Sequence, residues 1–328
     1  MRSMSAELER KLGPAWARIV VWLRERNDLS DVAAAIRRGD YEGAVSGLVD
    51  AAERFAGELR GANHVAAQRT VEWLEGETNR LVTFDETNIR SVRAMQSMRL
   101  DAIRQVTEDQ RTTIRNTIAD GLARGENPYV IAKDVKLSIG LTDYQRGIVT
   151  NFRRELETGQ WGKAMNRELI DGRWTKKLQR LQRDGGGLAP AEIQSMVNKY
   201  SDNWVGFRSE NIARTEGLRA AHRGYDTAIK NAVDNGTVQG EEFERKWNHK
   251  KHGQNWRQFH ASMNGQTVGL YEPFMSGLGN QLMYPCDPNA PIEETANCTC
   301  VVSTRMKRGR GFRVAAYRNG QPLAGSAA

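Results

Sequence analysis

Helical spacing runs from Leu8 to Val233 and stops at Asn235-Gly236, and this change of period constrains the fold more than any other feature. Upstream, apolar residues recur in steps of three and four. Downstream come turn residues, short β-branched runs, all three cysteines and three of the five histidines, gathered between Trp247 and Cys300. A chain patterned this way is expected to have a mainly α N-terminal helical region followed by a small α+β C-terminal domain of roughly seventy residues.

Within the helical part, Leu8, Leu12, Ala15, Trp16, Ile19 and Leu23 predict the first helix. Asp28 and Ser30 are cap candidates for a short helix through Ile36, ended by Gly39-Asp40. Two further helices are predicted over residues 41–59 and 61–81. Asp85 starts a longer one, striped by Ile89, Val92, Met95, Met98, Ala102, Val106, Ile114, Ile118 and Leu122. Asn127-Pro128 pairs a cap with proline at the first helical position, and Thr142 with Gln145 forms a capping box. Gly185-Gly186-Gly187 reads as a joint, after which Pro190 opens a helix to Val233 with a break near Gly206. Strands are expected over 241–247, 267–271 and 300–304, with Asn264-Gly265 as a hairpin turn. The expected organisation is an arm over 1–84, a helical region over 85–187, an α+β domain with its leading helix over 188–305, and a basic tail over 306–328.

No apolar run approaches the roughly 18 residues a membrane span needs, so no membrane partner is expected. Glu7, Glu9, Arg10 and Lys11 interrupt any hydrophobic N-terminal region, which argues against a signal peptide and for a cytoplasmic chain. In that compartment a disulfide framework is not expected, and three cysteines cannot all pair within one chain. The Cys298-x-Cys300 pair can chelate one soft ion, with His260 and Cys286 completing a tetrahedral zinc set. The spacing differs from the Cys-x₂₋₄-Cys of zinc fingers and ribbons. Buried free thiols beside a hydrogen-bonded histidine are the other reading. His249 and His252 fall in a strongly basic stretch that reads as an exposed turn.

The net charge is +8, and six of the surplus cations lie after Val301 with no acidic residue among them. Arg305, Lys307, Arg308, Arg310 and Arg313 are therefore candidate contacts for nucleic acid or an acidic protein surface; a solvated tail without a partner is the alternative. Walker loops, dinucleotide fingerprints and the deaminase His-x-Glu with Pro-Cys-x-x-Cys are not found in the sequence.

The order Trp247, His260, Asn264-Gly265, Phe274, Tyr284-Pro285-x-Asp287 and Asn297-Cys298-x-Cys300 resembles the phage Mu F-like family of minor head proteins. Ile212-Ala213-Arg214-Thr215-Glu216 and the run from Ile139-Gly140-Leu141-Thr142 to Asn151-Phe152-Arg153 and Leu156 are similar to it as well. There are departures. Thr299 stands where the family's Asn-Cys-Arg-Cys has arginine, Cys286 where glycine is common, and Arg257-Gln258-Phe259 where Arg-Pro usually precedes the histidine.

The resemblance implies a non-enzymatic virion protein with a Mu F-like C-terminal domain. Such proteins act in head assembly and in DNA packaging or delivery, at the portal and capsid interior. Expected partners are the portal protein, the major capsid or scaffold protein, and packaged DNA bound without sequence readout. Before that, the chain would reside in the host cytoplasm during assembly. Trp247, Phe274 and Tyr284 are expected to fill the small core. Two other classes stay open: a zinc- or cysteine-dependent nuclease or hydrolase carried in the virion, and a plain DNA-binding protein. The 28 residues after Cys300 are too few for an added catalytic domain.

Overall fold

The computed structural model describes residues 2–249, 257–296 and 298–307, with the backbone of 317–318 and 321–322. The chain is mainly helical through Asp234 and then forms small antiparallel sheets, as the change of period predicts. The helices are α1 (Arg2–Arg26), α2 (Leu29–Arg37), α3 (Leu48–Thr78), α4 (Ile89–Ala123), α5 (Pro128–Ser138), α6 (Asp143–Glu157), α7 (Trp161–Met165), α8 (Gly172–Asp184) and α9 (Pro190–Asp234). There follow β1 (Phe243–Asn248), α10 (Gln258–Ala261), β2 (Thr267–Gly269), β3 (Phe274–Met275), β4 (Gln281–Leu282), α11 (Ile292–Thr295) and β5 (Val301–Met306).

Local chemistry sets several boundaries where expected. The Asn127 side chain accepts from Tyr129 N at 2.9 Å, and both bonds of the Thr142–Gln145 capping box are present. Other boundaries differ. Residues 41–59 and 61–81 do not form two helices, because α3 is a single helix that begins after Gly47. A glycine inside a helix costs only about 1 kcal/mol, and burial of Phe55, Leu59, Ala62 and Ala66 around Gly61 outweighs it. Gly206 likewise does not break α9, whose 45 residues reach about 68 Å. The long helix predicted from Asp85 starts at Ile89. Asn88 caps it by accepting from Arg90 N, while Asp85 accepts from Thr87 in the preceding turn. Sequence reading passed over α7 and α8.

α9 is the spine. Helices from each of the segments 1–84, 85–187 and 188–305 contribute to one large core, extending from Leu8 to Ala221. Ala220, Ala221 and Gly224 let α3 come close. A β-carbon at Gly224 would sit 2.4 Å from the carbonyl oxygen of Asn63, whose amide donates to Ala220 O at 3.2 Å. Near its C-terminal end α9 passes the C-terminal unit. Leu74 of α3, Ile229 and Ala232 of α9, Phe243 of β1 and Leu270 share a second core.

The three-stranded sheet has the order β2-β1-β5, all antiparallel. β1 pairs with β5 from Phe243↔Met306 to Trp247↔Val302 and Asn248↔Val301. Asn264-Gly265 is not a two-residue hairpin, because the chain between β1 and β2 also contains α10. Instead it closes that long connection: Gly265 N donates to Trp247 O at 2.8 Å, and Trp247 N donates to Gln266 O at 2.9 Å. Gly265 has φ 86°, a conformation that glycine adopts without steric penalty.

Candidate metal centre

Strand alternation aims the site residues inward. Phe243, Arg245 and Trp247 are the buried members of β1, and side chains two apart share a face. Cys298 and Cys300 are buried where the chain leads into β5, followed by the buried Val301 and Val302. A small core results, holding Leu218 of α9, Trp247, Met263, Phe274, Leu282, the three cysteines, Val301 and Val302. Trp247 meets Phe274 edge to face at 5.3 Å and His260 at 5.5 Å between centroids.

His260, on α10, is 1% exposed and faces both members of the Cys-x-Cys pair. Its Nδ1 lies 3.5 Å from Cys298 Sγ and 3.7 Å from Cys300 Sγ. Its Nε2 lies 2.7 Å from Glu294 Oε2 on α11. The other oxygen of Glu294 accepts from Ser276 Oγ at 2.6 Å and Asn280 Nδ2 at 2.9 Å. Burial opposes the charge on Glu294, yet these hydrogen bonds and that from His260 together hold its carboxyl below the usual value. An ionised carboxylate only accepts, so Nε2 carries the proton and Nδ1 turns its lone pair to the thiols.

His260, Cys298 and Cys300 are all buried, with ligand atoms within 4.8 Å of one another, and this cluster can hold a metal ion. Bonds of about 2.3 Å to sulfur and 2.0–2.1 Å to nitrogen at tetrahedral angles imply sulfur–nitrogen edges of about 3.6 Å. The two edges to His260 fit that value. Contact with Cys286 together with burial raises the Cys298 thiol to about 12, and contact with Cys298 together with burial raises Cys300 to about 12. Such thiols stay protonated and are poor nucleophiles; a bound cation inverts that preference.

Of the four expected ligands, Cys286 lies outside this grouping. It is fully buried, its Sγ donates to Thr295 O at 3.3 Å, and its φ of 62° is rare for a residue with a β-carbon. Pro285 is buried in the same turn. Asp287 braces that turn by accepting from Met283 N at 2.8 Å and Asn289 N at 3.0 Å. Tyr284 turns to α9 and stacks on His222 at 6.0 Å. Arg219 of α9 donates to Cys286 O at 2.9 Å and to Glu216 at 2.7 Å, fastening the turn to the helical body. Arg305 pairs across the strands with Glu244 at 2.8 Å, and Lys307 N donates to Glu242 O at 2.6 Å. His252, Asn297, Arg308, Arg310 and Arg313 lie outside the described residues.

Sequence reading missed Glu294, Arg245 and His249. The buried Arg245 guanidinium donates to Gly269 O at 3.1 Å, Met283 O at 2.8 Å and Glu272 O, tying the end of β2 and its following turn to the loop after β4. His249 is not an exposed turn residue: it is half-buried, with Nδ1 3.4 Å from Cys300 Sγ. Alternation from Trp247 was the available signal for His249; nothing local marks Glu294. A cleft of about 270 Å³ between α4, α9 and α11 is lined by Asp109, Arg208, Glu216 and Arg219, and not by the cysteines or His260. Among the described residues, no helix is long and apolar enough to cross a membrane. No family model matches the chain, and comparison with curated proteins and with solved structures returned no match.

Proposed function

We propose that this chain is a phage minor head protein, Mu F-like in its C-terminal unit, which acts without catalysis in head assembly and DNA packaging or delivery. One observation carries the reading: residues far apart in sequence that bear the resemblance converge in space. Trp247, His260, Phe274, Cys298 and Cys300 meet in one buried core. Glu216, from the α9 segment of the resemblance, reaches the Tyr284–Asp287 turn through Arg219. Burial of the thiols and of His260 suits a staple better than a nucleophile. The partners in this reading are the portal and the major capsid or scaffold protein, at the capsid interior near the portal, with packaged DNA as a non-specific contact of the basic tail.

The staple is one zinc ion held by His260, Cys298 and Cys300. Zinc favours this nitrogen/sulfur donor set, and Glu294 orients the histidine as a carboxylate typically does behind a metal ligand. Bound there, zinc would join α10 to the entry of β5, and it supplies cross-linking rather than chemistry.

Co-expression with the portal and major capsid proteins of the same genome tests the assembly role. Co-sedimentation of the chain with assembled heads, in a few copies each, is the expected result. A chain that stays at the top of every gradient, with heads assembling normally without it, would overturn the proposal.

A further inference from the structure

We propose that His249 is the fourth ligand of the metal centre, which makes it a Cys₂His₂ site, and that Cys286 is a neutral thiol packed outside the coordination sphere. The inference rests on the metal reading above.

Register comes first. β1 and β5 pair as Trp247↔Val302 and Asn248↔Val301. Continuing the ladder by one step sets His249 opposite Cys300. Directly opposed residues on antiparallel strands hold their β-carbons about 4.5–5.5 Å apart, and alternation turns His249 to the same face as Trp247. The side chains meet accordingly, with His249 Nδ1 3.4 Å from Cys300 Sγ. That one edge is close to the roughly 3.6 Å of a tetrahedral sulfur–nitrogen site; His249, like Cys286, otherwise stands outside the close grouping of His260, Cys298 and Cys300, so its ring must turn inward when the ion binds.

The backbone at His249 is also held. Asn264 Oδ1 accepts from His249 N at 2.9 Å, and Gly265 N donates to Trp247 O at 2.8 Å. The Asn264-Gly265 turn therefore clamps the strand end that carries the second histidine.

Charge separates the two candidates. Two thiolates and two neutral imidazoles balance a divalent cation, so the centre adds no net charge beside the buried Glu294 carboxylate. Adding the Cys286 thiolate would give the centre a net negative charge close to the Glu294 carboxylate, which raises the cost of burying it. Cys286 already has a use for its proton, which it donates to Thr295 O at 3.3 Å.

Titration of Co²⁺ into the reduced, metal-free full-length chain tests the assignment. The absorption of thiolate-bound Co²⁺ reports both occupancy and the number of coordinating sulfurs. The expected result is one equivalent bound with a two-thiolate charge-transfer band. Cys286→Ala should keep that band and an affinity within a few-fold. His249→Ala should weaken binding at least about 100-fold, beyond the 10–100-fold typical of losing an outer-shell partner. His249→Cys, which keeps a ligand at the position, should recover binding and add a third thiolate to the band. A wild-type band of three thiolates that falls by a third in Cys286→Ala, with His249→Ala unchanged, overturns the assignment and leaves the metal reading standing. A folded wild-type chain that binds neither Co²⁺ nor Zn²⁺ overturns both.

Discussion

Glu294 Oε2 and His260 Nε2 lie 2.7 Å apart in a fully buried contact that joins α11 to α10 and fixes which imidazole nitrogen faces the thiols. Glu294→Gln preserves shape but puts an amide donor within reach of Nε2. The imidazole then moves its proton to Nδ1, where it blocks a ligand lone pair. Zinc affinity should fall about 10–100-fold, as for other outer-shell partners, with the fold retained. Competition against a chromophoric chelator measures it; an unchanged affinity would refute the orienting role of Glu294.

His222 should make folding sensitive to mild acid. Burial, reinforced by the nearby Arg245 cation, lowers it from the ordinary 6.5 to about 3. Between those values the unfolded chain binds the extra proton and the folded chain does not. Its contribution is therefore complete above about pH 6.5 and is lost as pH falls toward 3, at up to about 1.4 kcal/mol per pH unit. His222→Phe keeps a ring against Tyr284 and removes the titration. Denaturant melts from pH 7 to 4 should give a flatter profile for the variant; parallel profiles would contradict the account.

Arg245 should be irreplaceable by lysine. Its planar guanidinium serves three carbonyls at once, and an ammonium cannot reproduce that fork. Each buried carbonyl left unpaired costs about 1–3 kcal/mol. Arg245→Lys is expected to destabilise by at least about 2 kcal/mol and Arg245→Ala by more, read from urea midpoints. A lysine variant as stable as wild type would show that the loops hold one another without it.

Gly224→Ala probes the α3–α9 contact. The added carbon would meet the Asn63 carbonyl oxygen at 2.4 Å and Ala66 Cβ at 2.9 Å, so the helices must separate. Overpacking of this kind costs about 1–3 kcal/mol, against the gain of some 1 kcal/mol that alanine brings to an unhindered helix position. A drop in thermal midpoint is expected here and a rise in Gly61→Ala, where nothing lies within 4 Å.

The tail and the sheet edge should separate in DNA binding. Arg305 is committed to Glu244, so Arg305→Ala should leave affinity for a duplex of arbitrary sequence nearly unchanged. Deleting 308–328 should weaken it and reduce its salt dependence, since each phosphate that the tail no longer neutralises keeps its condensed counterions. Filter binding across a salt series reads both. Equal slopes for the truncated and full chains would remove the tail from DNA contact.

Much of this molecule is local in origin. The periodicity from Leu8 to Val233, the caps at Asn127 and Thr142, and the β-branched run of β5 each encode their element within a few residues, because backbone preference and capping act over one or two turns. The Cys-x-Cys spacing by itself marked two sulfurs able to chelate one ion, on the stretch that leads into β5. What only the tertiary structure decided was partnership. α3 and α9 run through Gly61 and Gly206 because long-range packing outweighs a single glycine's propensity. Glu294 finds His260 from 34 residues away, and β1–β5 pairing brings His249 to Cys300 across a connection of 51. Sequence spacing carries little information about such pairs: they form when separate elements bury their apolar faces together, and the polar groups trapped in that core must then find one another.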